Sequence, residues 1–136
     1  MKKYIEPISR EQLKRYLAVA DLTQSPTPHA LKLVYDRIEQ YIRSAHPQSK
    51  IRVYRKNPIV SVKDNYDDLL IPAENVSRTS TYSQYVDEQH LLRTHTSAHM
   101  PGMLRELAKR NDWEDVIILL PGLIYRRDVS DTKHVS

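Results

Sequence analysis

Between Ser44 and Lys50 the spacing of apolar residues changes from helical to alternating, so this chain must mix helix with sheet. Before the change, Leu31, Val34, Tyr35, Ile38 and Ile42 form one stripe at helical spacing, with Arg37, Glu39 and Arg43 elsewhere on the wheel. A helix is expected from about His29 to Ser44, with Pro28 in its first turn. His46-Pro47-Gln48 reads as a turn. After it, Ile51, Val53, Pro58, Val60 and Val62 follow a period of two, with Pro58 at a break or an edge. Upstream, Ser9 and Gln12 have the spacing of a capping box, ahead of a helix over Arg10 to Ala20. Residues 21–28 interrupt any pattern with two prolines and small polar residues.

The rest of the chain is shorter in its elements. Residues 73–89 show little periodicity and read as a long loop, or a loop with a short hairpin. The segment His90 to Ser97 is short and β-like, and Ser97 is placed to cap a helix from Ala98 to Arg110. Pro101 falls within the first turn, and Leu104 and Leu107 are expected to face inward. The stretch VIILLPGLIYRRD predicts two β segments joined at Pro121-Gly122, the first apolar on both faces like a central strand. This order implies an α+β fold with a mainly antiparallel sheet and helices on one side.

Composition excludes several classes. With 136 residues the chain holds one modest domain. The absence of cysteine removes disulfides and thiolate metal sites. No apolar run approaches the roughly 20 residues of a membrane span, so no membrane partner is expected. The start MKKYIEPISREQ has no apolar core for a secretory signal, and Glu6 and Glu11 argue against a transit peptide, so a cytoplasmic location is expected. A net charge of +4 suits a polyanionic partner. Nine tyrosines stand beside no phenylalanine, and only two glycines are present.

Two clusters point to chemistry. Tyr125-Arg126-Arg127-Asp128, followed by Asp131 and His134, places adjacent arginines and a carboxylate at the end of an apolar strand. Guanidinium forks match phosphate oxygens, and a nearby acid can hold a fork in place. A solvated strand end with surface ion pairs is the alternative. His95-Thr96-Ser97 precedes a helix, where a hydroxyl and an imidazole could hold a carboxylate or phosphate, or where serine is simply a cap. His90, His95 and His99 lack the glutamate of a zinc-peptidase helix, so no metal site is assigned. No G-x-S-x-G elbow, P-loop or G-x-G-x-x-G occurs, so a nucleotide site would have to be built another way.

Four stretches, in order and in register, resemble phenylalanyl-tRNA synthetase, a class II aminoacyl-tRNA synthetase. They are Pro28-His29-Ala30-Leu31, Arg52 to Arg78, LLRTHTSAH (Leu91 to His99) and PGLIYRRDVSDTKH (Pro121 to His134). The resemblance divides the chain into an N-terminal helical extension, 1–27, and a partial catalytic domain, 28–136, holding motif 1 and the start of motif 2. It implies that Arg126 is catalytic and binds ATP with Asp128 and His134. It also implies that His95, Ser97 and Met100 line the amino-acid pocket and that Pro58 packs at a subunit interface. ATP and Mg2+ are the implied cofactors, with tRNA and phenylalanine as partners in a homo- or hetero-oligomer. Adenylate formation followed by transfer to tRNA is the implied reaction. Two departures matter. Met100 stands where the family has glutamine, which opens the alternative of a paralogue with altered substrate. The chain stops before the motif 2 return strand and motif 3, which implies a truncated chain, inactive alone; a non-catalytic dimerising domain is the other alternative.

Overall fold

The computed structural model describes residues 5–110 and 115–127. Helix α1 (Arg10–Ala18) starts as its capping box demands. Ser9 Oγ accepts from the Gln12 amide at 3.1 Å, and Gln12 Oε1 accepts from the Ser9 amide at 3.1 Å. It ends two residues earlier than expected. The Asp21 carboxylate then accepts from the Thr23 amide and hydroxyl, at 3.0 and 2.6 Å, and shapes one 3-10 turn at Leu22–Gln24. Helix α2 (Ala30–Ala45) is capped by His29, whose Nδ1 accepts from the Leu31 amide at 3.1 Å. Pro28 therefore precedes the helix instead of sitting in its first turn.

Strand β1 (Lys50–Val53) pairs in parallel with β4 (Val116–Leu119), Ile51 opposite Ile117. Strand β2 (Ile59–Ser61) pairs antiparallel with β3 (His90–Leu92), Val60 opposite Leu91. The expected mixture of helix and strand is present. Among the described residues one small ladder is parallel and one antiparallel; the long crossover between β1 and β4 lets the chain return in the same direction. The polar stretch 73–89 does end in a tight reversal. Asp87 Oδ1 accepts from the Gln89 and His90 amides, both at 2.8 Å, and Tyr85 bridges to Leu91.

Helix α3 (Val62–Asn65) is capped by Ser61 and continues into a 3-10 turn at Asp67–Leu69. Beyond β3, turning begins at Thr96, one residue before the expected cap. A 3-10 turn over Thr96–His99 leads into α4 (Met100–Lys109), so Ser97 lies exposed within the turn and caps nothing. Pro101 does fall in the first turn of α4. That helix turns Met103 and Leu107 toward β1 and β4, which leaves Leu104 54% exposed instead of inward. Residues 121–127 form no second strand. Their amides bond to two separate segments, Tyr125 to the Arg93 carbonyl at 3.0 Å and Arg127 to the Tyr82 carbonyl at 2.9 Å, so no ladder develops.

Val60, Tyr66, Tyr85, Leu91 and Ala98 make the core, with Ile5, Val62 and Ile71 packed against it. The regular stripe of α2 is not part of it: Leu31, Val34 and Ile38 are each more than half exposed. Among the described residues no helix is long and apolar enough to cross a membrane.

Candidate active site

The site is assembled around the exit of β3. Asn65, at the end of α3, is fully buried and bonds Thr94 in both directions. Its Nδ2 donates to Thr94 Oγ1 at 3.0 Å, and its Oδ1 accepts from the Thr94 amide at 3.2 Å. A buried amide satisfied in this way fixes one backbone position, here the residue before His95.

Arg93, on the other side of Thr94, is buried and spends its donors on two carbonyls and one imidazole. Nε donates to the Leu123 carbonyl at 2.8 Å, and Nη1 donates to the Lys56 carbonyl at 3.0 Å and to His99 Nε2 at 3.1 Å. Burial lowers its pKa, but a guanidinium keeps its charge. Gly122 leaves room for this group. A Cβ there would fall 2.2 Å from Arg93 Nη2 and 3.0 Å from Cζ, inside contact distance. The Arg93 carbonyl accepts the Tyr125 amide at 3.0 Å, so residues 122–125 are gripped by both the backbone and the side chain of one residue.

Arg126 follows directly. Its Nε donates to the Thr94 carbonyl at 3.4 Å, and it lines a recess of about 290 Å³ with Thr94, His95, Tyr66, Ile71 and Tyr82. No described residue forms an ion pair with it. His95 Nδ1 is buried without a hydrogen-bond partner among the described residues. Burial, and then the neighbouring charge of Arg126, lower the His95 pKa, so the imidazole is neutral near pH 7. A cation and a neutral imidazole over an apolar wall suit a ligand with an anionic end and an apolar end.

The other expected site residues fall into three groups. Pro58 is half-buried and its carbonyl accepts the Arg93 amide at 2.9 Å, which ties it to the same node. Ser97 is exposed and Met100 half-buried at the start of α4; neither lines the Arg126 recess. Asp128 and His134 lie outside the described residues. A larger hollow, about 410 Å³, lies between α4 and β1, but cations (Arg52, Lys56, Arg110) and carboxylates (Asp64, Glu106) both line it. It favours neither sign of ligand.

The profile of the tRNA synthetases class II core domain (F) matches residues 19–136. The chain belongs to this family. A relative in Drosophila melanogaster, named probable phenylalanine–tRNA ligase, mitochondrial, is 36% identical over 113 residues, covering 79% of this chain and 23% of the relative. The phenylalanine–tRNA ligase, chloroplastic/mitochondrial, of Arabidopsis thaliana is 37% identical over 106 residues, with coverage of 78% and 23%. The phenylalanine–tRNA ligase alpha subunit of Mycoplasmoides gallisepticum is 30% identical over 106 residues, with coverage of 78% and 29%. The chain spans less than a third of the length of these relatives.

Within this class II core the residues that sequence patterns missed are Asn65, Arg93, Thr94 and Gly122. Asn65 lies inside Asn-Tyr-Asp-Asp-Leu-Leu, whose polar look hides a buried amide. Gly122 reads as a turn residue, and only the position of Arg93 reveals why glycine is required there.

Proposed function

We propose that the longer protein containing this chain is an ATP-dependent phenylalanine–tRNA ligase, and that the Arg126 recess belongs to its adenylation site. The observation that carries this reading is the shared recess: Arg126 and His95, far apart in sequence, line one hollow with an apolar wall. The names of the relatives support the substrate class. In the reaction a carboxylate oxygen bonds to the α-phosphorus of ATP and pyrophosphate leaves. Arg126 neutralises the charge that grows on the phosphoryl oxygens in that step. The neutral His95 and the Tyr66, Ile71 and Tyr82 wall take the amino acid. Asp128 and His134 are assigned to ATP on resemblance, and Ser97 and Met100 to the amino-group side of the substrate. Magnesium is assigned to the ATP phosphates on resemblance; among the described residues no three metal-ligating side chains gather.

The same reading makes the exposed face of α2, with Pro58, part of a subunit interface. It makes the two small ladders pieces of a mainly antiparallel sheet completed elsewhere in the longer protein. tRNA is the acyl acceptor. A cytoplasmic location is proposed and can be checked by cell fractionation.

Phenylalanine-dependent ATP–pyrophosphate exchange by the full-length protein tests the assignment. Arg126→Ala is expected to cut exchange by more than about tenfold with little change in stability. Exchange surviving within that range would remove Arg126 from its role. Met100, unable to donate a hydrogen bond, favours one second reading, a paralogue with another substrate. Robust exchange with phenylalanine eliminates it.

A further inference from the structure

The family match begins at residue 19, so α1 and the residues before it lie outside the matched stretch. They are nonetheless docked into the fold. Ile5 packs against the buried cluster, the Glu6 amide donates to Ser80 Oγ at 2.9 Å, and the Ile8 amide donates to the Tyr85 carbonyl at 2.8 Å. The segment they grip, 80–85, is the one that holds Arg127 from the other side. Arg127 Nη1 donates to the Ser80 carbonyl at 3.2 Å and its amide to the Tyr82 carbonyl at 2.9 Å.

One helix later the contact becomes direct. The Tyr16 ring meets the Tyr125 ring edge to face, centroids 6.1 Å apart at 77°. Tyr125 immediately precedes Arg126. Asp21 follows, paired with Arg55 Nη1 at 2.8 Å, and its charge acts on both Arg93 and Tyr125. Burial raises the Tyr125 pKa, the Arg93 charge opposes the rise, and the Asp21 charge adds to it.

We infer that residues 5–24 clamp the arginine-bearing segment, with Tyr16 as a positioning residue that holds Tyr125, and through it Arg126, against the recess. The packing stands by itself; its catalytic consequence rests on the proposed adenylation reading. The arrangement is economical. Tyr125 is fixed at its amide by Arg93 and at its ring by Tyr16, so the backbone leading into Arg126 is restrained on two sides. Removing either restraint leaves the guanidinium on a longer tether.

Hydrogen exchange in the full-length protein tests the clamp without reference to activity. Tyr16→Ala should speed exchange at the Tyr125 and Arg127 amides about fivefold, the loss expected for one edge-to-face pair in a local opening. Amides of β4 and α4 should not change. Tyr16→Phe, which keeps the ring, should restore native exchange. Unchanged exchange at Tyr125 and Arg127, or equal acceleration in every element, overturns the clamp. Phenylalanine-dependent ATP–pyrophosphate exchange is read in parallel. A loosened segment with unaltered kinetics would overturn Tyr16 as a positioning residue, while Arg126→Ala in the same assay reads the adenylation role separately. In the expected case Tyr16→Ala lowers kcat more than it raises KM, and Tyr16→Phe rescues it.

Discussion

Helix α2 and the stretch from Tyr66 to Tyr85 show opposite relations between pattern and burial. Helix α2 carries a long apolar stripe at helical spacing and buries no residue fully. The stretch 66–85 has almost none, yet Tyr66, Ser83, Gln84 and Tyr85 are among the most buried residues. A periodic stripe says that a helix has an apolar face, not that its own chain covers it. An aperiodic stretch can still be interior if its polar atoms find partners. Tyr66 donates to the Ser77 carbonyl at 2.8 Å and lies against Ser83 Oγ, while Tyr85 donates to the Arg78 carbonyl.

The contrast can be broken by mutation. Tyr66→Ala should cost about 3–5 kcal/mol in urea unfolding, since it removes a buried ring and its hydroxyl bond. A cost under about 1 kcal/mol would mean that this stretch is not the core. Gly122→Ala should cost about 1–3 kcal/mol, because Arg93 must move and give up backbone acceptors. Thermal unfolding indistinguishable from the parent would show that the guanidinium has room to spare. A smaller effect should appear with pH at His99. Burial, then the charges of Arg93 and Lys56, hold its pKa below the usual histidine value, with Asp64 opposing. The unfolded imidazole takes its proton near pH 6.5, the folded one lower, so stability is complete above about pH 6.5 and falls on acidification below it. His99→Gln keeps an acceptor for Arg93 and should flatten that fall between pH 7 and 5; an unchanged slope would place the titration elsewhere. The least effect belongs to α2. Leu31→Lys combined with Ile38→Lys should change the stability of the isolated chain by less than about 0.5 kcal/mol. A larger loss would show that the stripe is covered after all.

The local punctuation of the fold was legible. The capping box at Ser9 and Gln12, the bounds of α2 and the four strand positions all follow from nearest-neighbour chemistry. Arg126 and His95 line one recess, and the roles that the resemblance gives them belong to the proposal. Whatever depends on a partner distant in sequence was not legible. Ser97 has the chemistry of a cap, but the Asn65–Thr94 bonds fix the chain just upstream and the turn begins at Thr96. Leu123 to Arg127 has the look of a strand but meets two acceptor segments and not one. The parallel pairing of β1 with β4 depends on a crossover that no short window contains. Nothing in the sequence marks Arg93 as buried, because two of its three acceptors are carbonyls, which leave no trace in side-chain identity.

The tyrosine-only aromatic core has a consequence for alkali. Burial pushes the Tyr85 hydroxyl up to about 12, whereas an unfolded tyrosine ionises near 10. Between those values the denatured chain gains a phenolate that the native state refuses, so the folded state loses stability as pH rises from about 10 toward 12. A phenylalanine at that position would fill nearly the same space, resist base, and leave the Arg78 carbonyl without its tether.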